Sequence, residues 1–207
     1  MENQFQQQPQ NQMQSSMNMT PQQNFGGHEV FDAKEALGHV VSYLEHALMY
    51  EQHIQSPELT SIMQRQKAFL SQLYNTIVDT FRSGTDPAVP TQTYMMEQSN
   101  QVTYGIQPSQ PKTPAQSLND INDECVSNFM LGHLKAAASS FTVAALETAN
   151  PVLRRVLADS VPNLIEMAYE IFLYQNKHQY YQLPQLAPQD MQAMTHTYGP
   201  IQGQMNH

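Results

Sequence analysis

The stretch "LGHVVSYLEHALMYEQHIQSPEL", from Leu37 to Leu59, has a counterpart in "LGHLKAAASSFTVAALETANPVL", from Leu131 to Leu153. Both stretches begin Leu-Gly-His, both end Pro-x-Leu, and they lie 94 residues apart. Two shared motifs at equal spacing favour an internal duplication over a chance likeness between two helical segments. The sequence therefore predicts one structural unit that is built twice.

Four segments repeat apolar side chains at the i, i+3, i+4 and i+7 spacing of amphipathic helices, two in each copy. The first is predicted from about Phe31 to Ile54, and the third from near Ser117, where Asp120 follows three residues later. No segment shows the alternation of a β-strand, so the predicted fold class is all-α. The four stripes are Leu37, Val40, Leu44, Ala47 and Ile54; Leu59, Ile62, Leu70, Leu73, Ile77 and Phe81; Leu131, Leu134, Ala138, Phe141 and Ala145; and Leu153, Val156, Leu164, Met167, Ile171 and Tyr174.

The two copies agree position by position when one is shifted by 94 residues. Leu70 then falls on Leu164, and Gln66, which interrupts its stripe, falls on Ser160. Because a lone helical hairpin leaves its apolar face in water, two such hairpins are expected to pack face to face as a four-helix bundle. A connection long enough to cross the bundle predicts the ferritin-like arrangement of up, down, crossover, down and up.

Composition divides the chain into five parts. Residues 1–28 and 183–207 are rich in Gln, Met and Pro, and we expect both ends to be disordered because they bury little apolar surface. Residues 84–116 contain five prolines and form the predicted crossover linker. The two helical hairpins occupy residues 29–83 and 117–182.

The composition also limits the partners and the location of the protein. The formal net charge is −9, which argues against binding to nucleic acid, since that needs clustered Lys and Arg. No apolar run reaches the length of a membrane span, and the first residues resemble no cleaved secretory signal. A single cysteine excludes an intramolecular disulfide framework.

Turn chemistry predicts how the second and fourth helices begin. Ser56 and Asn150 are each followed by a proline, as expected for a cap residue and the first helical position. Pro162 lies inside the fourth helix, where a missing N–H should kink or interrupt it near Ala158–Pro162.

A dimetal site, which ferritin-like bundles often hold, needs a Glu from two helices and Glu-x-x-His from the other two. No Glu-x-x-His occurs in the second or fourth predicted helix, where Glu166 and Glu170 are followed three residues later by Tyr169 and Leu173. Glu51 falls on the inner stripe of the first helix, near Glu45, His46 and His53, and is expected to bond to Tyr or Gln at the bundle end. We therefore predict no catalytic, cofactor or metal-binding residues.

The repeated histidines, His39 and His133, occupy equivalent positions on the first and third helices. They could flank a shared site, or pack at a helix interface, and the sequence leaves both readings open. There is no glycine-rich phosphate loop and no Gly-x-Ser-x-Gly elbow. The tyrosines at the end of the fourth helix, Tyr169, Tyr174 and the pair at 180–181, are expected to cap the bundle or to bind a partner.

The second hairpin resembles the coat F family of spore coat proteins from endospore-forming bacteria. The resemblance rests on the acidic start at Asn119-Asp120, on "LGHLKAAASSFTVAALETANPVLR", and on "NKHQYY" before a proline-containing tail, and it is clearest over residues 117–184. In that family the last segment is usually Lys-Gly-Tyr-Tyr-like, whereas here His178 and Gln179 follow Lys177.

The resemblance implies a ferritin-like helical fold, synthesis in the mother-cell cytoplasm and deposition in the spore coat. It supplies no catalytic residue. The resulting hypothesis is a structural protein that contributes to coat assembly, with other coat proteins and itself as partners. Enzymatic Gln–Lys or oxidative tyrosine cross-links would suit its composition. The alternative is a divergent ferritin-like metal-binding protein or oxidase.

Overall fold

A computed structural model describes residues 25–201, and its regular elements are helices. The bundle consists of α1 (Gly27–Tyr50), α2 (Pro57–Ser83), α3 (Asp123–Glu147) and α4 (Pro151–Lys177), and α5 (Pro188–Thr195) follows it. Short 3-10 turns precede α2 and α3. No β-strand forms among the described residues, although isolated bridges join the crossover to Leu183. The all-α prediction is confirmed.

The four long helices form a bundle in which sequence neighbours and duplicate helices pack together. α1 contacts α2 and α3, and α4 contacts the same two helices. Glu29 near the start of α1 bonds to the turn after α3, and Glu58 near the start of α2 pairs with Lys177 at the end of α4. Adjacent helices therefore run antiparallel, and the crossover connects opposite ends of the bundle, as a ferritin-like fold requires.

The core is made of the predicted stripes. Leu70 and Leu164, which the duplication equates, are 1% and 0% exposed, and the polar pair Gln66 and Ser160 is also fully buried. Every predicted stripe residue is either buried or packed against the core. The duplication thus preserves both the apolar face and the place where a polar side chain enters it.

The predicted caps form as expected at two helices. Ser56 accepts a hydrogen bond from the N–H of Leu59, and the Asn150 side chain accepts from Val152 and Leu153. Such bonds satisfy N–H groups that the first helical turn leaves without a partner.

The predicted interruption of the fourth helix is wrong, because α4 is continuous through Pro162; a kink near Ala158–Pro162, the other predicted outcome, stays a prediction. The proline lies on the exposed face, so its ring meets solvent rather than the core. In the helical turn at the proline, the side-chain amide of Asn163 donates a hydrogen bond to the backbone carbonyl of Asp159 at 3.1 Å. Burial of the opposite face outweighs the loss of one backbone bond.

The predicted start of the third helix is also wrong. Ser117 and Asp120 do form a capping box, but it closes a 3-10 turn, Leu118–Asp120. The extended backbone of Ile121 separates this turn from α3, whose cap is Asn122. The sequence signal was a real cap that belonged to a shorter element.

The ends of the bundle extend beyond the predicted boundaries. Phe25 packs its ring against that of Phe81, with 5.9 Å between ring centroids, although it falls in residues 1–28, the N-terminal arm that was predicted to be disordered. In the tail, α5 forms but buries none of its residues. The predicted disorder of residues 1–24 and 202–207 lies outside the described residues.

One helix of the described part, α3, is long and apolar enough to cross a membrane by length and composition. A third of its most apolar window, 33%, is buried inside the bundle, where it packs on α1 and α4. The core helix of a folded bundle passes the same test, so this composition does not identify a membrane span.

Candidate functional site: a buried carboxylate and the crossover strap

The most concentrated polar chemistry in the bundle surrounds Glu170, whose carboxylate is fully buried on α4. Its Oε1 accepts from Arg65 at 2.6 Å and from the N–H of Glu97 at 3.3 Å. Its Oε2 accepts from the Gln66 side chain at 3.0 Å and from the Tyr94 hydroxyl. Four donors therefore surround one carboxylate, which removes the large cost of burying an unpaired charge.

A second layer extends this network towards α1. Gln66 Oε1 accepts from the Tyr43 hydroxyl at 2.7 Å, and the Gln66 amide also donates to the carbonyl of Met167 at 3.1 Å. These bonds join α1, α2 and α4 through a polar chain in the core. We call Tyr43, Arg65, Gln66, Tyr94 and Glu170 the Glu170 network.

Arg65 links the network to the protein surface. Besides Glu170, its guanidinium pairs with Glu97 at 2.8 Å, a carboxylate whose side chain is largely exposed. Burial alone would lower the pKa of Arg65, but bonds to Glu170 and Tyr94 outweigh it and raise that pKa. The arginine is therefore a permanent counter-charge for the buried carboxylate.

Burial and the neighbouring carboxylate raise the pKa of two tyrosines in the network. For Tyr43 burial is the main cause, followed by Tyr94 and Glu170, and for Tyr94 burial is followed by the hydrogen bond to Glu170. Both hydroxyls therefore stay protonated in the folded protein at a pH where exposed tyrosines ionise.

This shift predicts a loss of stability in alkali. Because the folded pKa values exceed the unfolded value of about 10, the contribution is complete below about pH 10 and is lost as the pH rises through the folded values. The free energy of unfolding, measured in denaturant from about pH 9 upwards, should stay level to about pH 10 and decline above it. Tyr43→Phe should make the decline shallower without removing it, because Tyr94, Tyr174 and Tyr180 also have raised pKa values. Tyr104→Phe, at a residue 62% exposed, should leave the slope unchanged; equal slopes in both variants would contradict the assignment.

The Glu170 network does not fit a carboxylate-bridged dimetal centre, which this fold often holds. Such a centre needs several carboxylates and histidines directed at one point, whereas Glu170 meets an arginine, an amide and a phenol. Among residues 25–201 no group of three or more His, Cys, Asp or Glu side chains is placed to hold a metal ion. Arg65 occupies the position at which a cation would compete for the carboxylate.

The predicted burial of Glu51 is wrong. This residue lies in the 3-10 turn after α1, is exposed, and pairs with Lys67 at 2.5 Å. The first helix ends at Tyr50, before the turn that would have carried Glu51 inward. The buried Glu that bonds to Tyr and Gln is Glu170 instead.

The repeated histidines lie along the seam between α1 and α3. His133 packs against Phe129 and His46, with 4.6 Å and 5.1 Å between ring centroids. Burial, followed by the nearby His46 and His39, lowers the pKa of His133. His46 directs Nδ1 to the carbonyl of Ser42 at 2.7 Å. These contacts show that His133 packs at the interface between α1 and α3, whereas the shared site that the repeat of His39 and His133 suggested stays without an assigned ligand.

The crossover between α2 and α3 lies along α4 as a strap, defined here as residues 84–116. It has no helix, yet side chains of α4 hold its backbone in three places. Asn163 accepts from the N–H of Tyr94 at 2.7 Å, and Glu170 accepts from Glu97. Asn176 accepts from the N–H of Thr103 at 2.7 Å and donates to its carbonyl at 3.0 Å. Amide side chains thus replace the strand that would otherwise satisfy this backbone.

The strap contacts predict a local effect of one substitution. Asn176→Ala should remove the hydrogen bonds to the N–H and C=O of Thr103, an exposed residue of the strap, and lower the free energy of unfolding by about 0.5–1.5 kcal/mol for each bond lost. Amide hydrogen exchange around Thr103 should become faster through local opening of the strap, while the bundle stays folded. The control is Asn75→Ala on the exposed face of α2, and equal exchange rates in both variants would contradict the role of Asn176.

A second buried carboxylate, Glu29, joins one end of the bundle. Its Oε2 accepts from the N–H groups of Ala149 at 2.7 Å and Asn150 at 2.9 Å, while Oε1 accepts from Gly26. The same side chain therefore caps α1 and fixes the turn between α3 and α4. Its donors are all backbone groups, which indicates a structural role.

Comparisons with known proteins agree with this architecture. A family model described as the Coat F domain matches residues 122–184. The spore coat protein F-like protein YhcQ of Bacillus subtilis (strain 168) is 47% identical over 202 residues, which cover 98% of this chain and 93% of that protein. This chain belongs to the coat F family.

A crystal structure of a candidate spore coat protein from Bacillus halodurans C-125 matches with a TM-score of 0.58 and 13% identity. The match covers 81% of this chain and 99% of that one. At this identity the likeness shows the fold alone. The coat F resemblance of the second hairpin is confirmed, and the identity with the Bacillus subtilis protein extends it over the first hairpin as well.

The coat F match ends at the turn after α4, where an aromatic cap forms. Tyr174 is buried, and its ring lies 4.4 Å from that of His178 and 6.3 Å from that of Tyr180. Gln179 has a φ of 63°, a left-handed conformation that favours glycine. The turn carries a glutamine at a position where glycine would adopt this conformation at lower cost.

Proposed function

We propose that the chain is a structural protein of the bacterial spore coat that contributes to coat assembly during sporulation. The observation that carries this proposal is 47% identity over 98% of the chain with a spore coat protein F-like protein. The protein would be made in the mother-cell cytoplasm and deposited on the forespore. In this role the protein would bind neighbouring coat proteins, and we propose no catalytic activity.

The chemistry of the core supports a structural role. Glu170 has its oxygens engaged by Arg65, Gln66, Tyr94 and a backbone N–H. A catalytic carboxylate needs a free lone pair or a proton to transfer to a substrate, and this one lies wholly inside the bundle. The network instead ties α1, α2, α4 and the strap into one unit.

The proposed partners are other coat proteins and further copies of this chain. The Gln-rich and Met-rich ends offer many weak contacts, which multivalence turns into effective binding. A net charge of −9 does not favour nucleic acid. We propose no membrane insertion, because α3 supplies core residues to the bundle.

The two terminal arms, taken here as residues 1–24 and 188–207, are expected to serve assembly rather than folding. A chain trimmed to residues 25–187 keeps Phe25, Gln182 and Leu183, which contact the bundle or the strap. Its thermal unfolding should match that of the full chain, because stability comes from the buried stripes, while its incorporation into the coat should fall. Much earlier unfolding would show that the arms pack on the bundle, and undiminished incorporation would assign recognition to the bundle surface.

Metal analysis separates the proposal from the ferritin-like alternative. The purified full chain should retain no iron, manganese or zinc after chelator treatment, because the Glu170 network offers one carboxylate that already pairs with Arg65. The Glu170→Gln variant serves as the control, because it shows whether any metal that binds depends on the carboxylate of Glu170. About two tightly held ions per chain, lost in that variant, would favour an oxidase or a metal store.

A further inference from the structure

α3 presents an outward face that is almost free of charge. Between Gly132 and Leu146, its exposed positions include one charged residue, Lys135, whose ammonium lies 5.4 Å from the centre of the Tyr181 ring. Val143 and Leu146 are 55% and 80% exposed. A partner that covered this part of α3 would remove both aliphatic side chains from water and would desolvate few charges.

The exposed residues of this face follow one another at steps of four and three positions. This spacing places them in a single narrow row along the helix, as in the seam between two paired helices. We call this row the α3 outer face. Its members are Gly132, Ala136, Ser139, Val143 and Leu146.

The fold of a single chain does not explain Gly132. A Cβ atom at this position would meet nothing within 4 Å, and glycine weakens a helix. A glycine at this position does leave space on the helix surface that a large side chain of a second helix can fill. A Cβ atom at Gly38, the duplicate of Gly132 on α1, would also meet nothing within 4 Å. The glycine alone therefore does not favour α3 over α1, and the charges on the two helices distinguish them.

Charge favours α3 over α1 as the contact with a second copy. The shift of 94 residues places Glu45 of α1 opposite Ser139 in the alignment, and Glu35 lies on the same exposed side of α1. In a chain of net charge −9, two α1 faces would bring carboxylates together, whereas the α3 outer face contains none. Like charges at an interface oppose association.

We propose that two copies of this chain associate through their α3 outer faces, antiparallel, about a two-fold axis at Ser139. In this arrangement Gly132 lies opposite Leu146 of the second copy, and Ala136 opposite Val143. Each small side chain thus meets a large one, and each Ser139 lies beside its twin. One face complementary to itself is the requirement for a two-fold dimer. The proposal deepens the proposed function, since it names a partner and a surface for self-association.

The size of the face sets the strength of the dimer. Fourteen residue steps of helix are about 21 Å long, and a helix is about 10 Å wide, so the footprint is roughly 200 Å² on each copy. Stable complexes bury about 800 Å² on each partner. The dimer should therefore be weak and dependent on concentration, and it gains importance where many copies are held close together.

Sedimentation equilibrium on the full chain tests the surface. The average mass should rise from the 23.5 kDa monomer towards the dimer as concentration increases. Ala136→Glu should abolish that rise, or weaken association at least tenfold, because it places a carboxylate in the seam. Ala68→Glu makes the same change at an exposed position of α2, diagonally across the bundle, and should associate as the unaltered chain does.

A compensating pair tests the antiparallel geometry. Gly132→Leu should prevent association by colliding with Leu146 of the second copy, and adding Leu146→Ala in the same chain should restore it. Circular dichroism would confirm that every variant remains folded. An unaltered chain that stays monomeric, equal effects of the two Ala→Glu changes, or a pair that fails to recover would each overturn the proposal.

Flotation with phosphatidylcholine vesicles tests whether the α3 outer face binds lipid instead of a second copy of the chain. The unaltered chain and Ala136→Glu should both remain unbound. Flotation of the unaltered chain that Ala136→Glu abolishes would assign the α3 outer face to lipid and overturn the dimer. Localisation to the coat is scored separately, so failure of the dimer leaves the proposed function standing, and failure of localisation leaves the dimer measurable.

Discussion

Replacing Glu170 with alanine should lower the free energy of unfolding by about 3–5 kcal/mol, because it leaves Arg65 without its inner partner. The same change deprives the Gln66 amide and the Tyr94 hydroxyl of their acceptor inside the core. Groups buried without a partner incur their full desolvation cost. Urea unfolding monitored by circular dichroism would give the difference directly.

Two controls isolate the effect to the buried network. Glu166→Ala removes a carboxylate from the same helix, one turn earlier, where the side chain is half-buried, and should cost less than about 1 kcal/mol. Glu97→Ala removes the outer, exposed partner of Arg65 and should cost about 0–1 kcal/mol. A loss at Glu170 no greater than that at Glu97 would show that the network contributes little to stability.

Leu164→Ala should cost on the order of 2–5 kcal/mol, which combines the lost burial with the cavity left behind. Leu164 is fully buried in the same core as Leu70, Leu73 and Met167. The next residue, Ile165, is 56% exposed on the same helix, so Ile165→Ala changes a comparable side chain with little loss of packing. A cost below about 0.5 kcal/mol at Leu164 would mean that the stripe is misassigned.

Periodicity predicted most of the fold because the same apolar rows determine both helix formation and packing. The duplication then restricted the arrangement to two equivalent hairpins, and the length of the crossover selected the ferritin-like topology. Helix ends were less predictable. Ser117 capped a shorter turn, and Pro162 was tolerated because its ring lies on the solvent side.

The Glu170 network could not be assembled from sequence spacing. Glu170 bonds to Tyr94 and Arg65, which are 76 and 105 residues away, and one of them lies in a segment without helical pattern. One signal was present, since Glu170 stands between Met167 and Ile171 on a stripe that is otherwise apolar. An acid in that position predicts a buried partner but not its identity.

The strap was predicted as a linker of the right length and not as an ordered layer. Its composition suggests disorder because proline and polar residues form no core of their own. The structure shows that α4 provides the missing partners through Asn163 and Asn176. Such side-chain recognition of backbone leaves no periodic trace in the sequence.

Localisation during sporulation tests the central claim, that this coat F protein is part of the spore coat. A fluorescent fusion to the full chain, expressed from its own promoter in a sporulating cell, should appear in the mother cell and then collect as a shell around the forespore. Free fluorescent protein from the same promoter should stay diffuse. A fusion that remains diffuse in the mother cell throughout sporulation, or fills vegetative cells, would contradict a role in the coat.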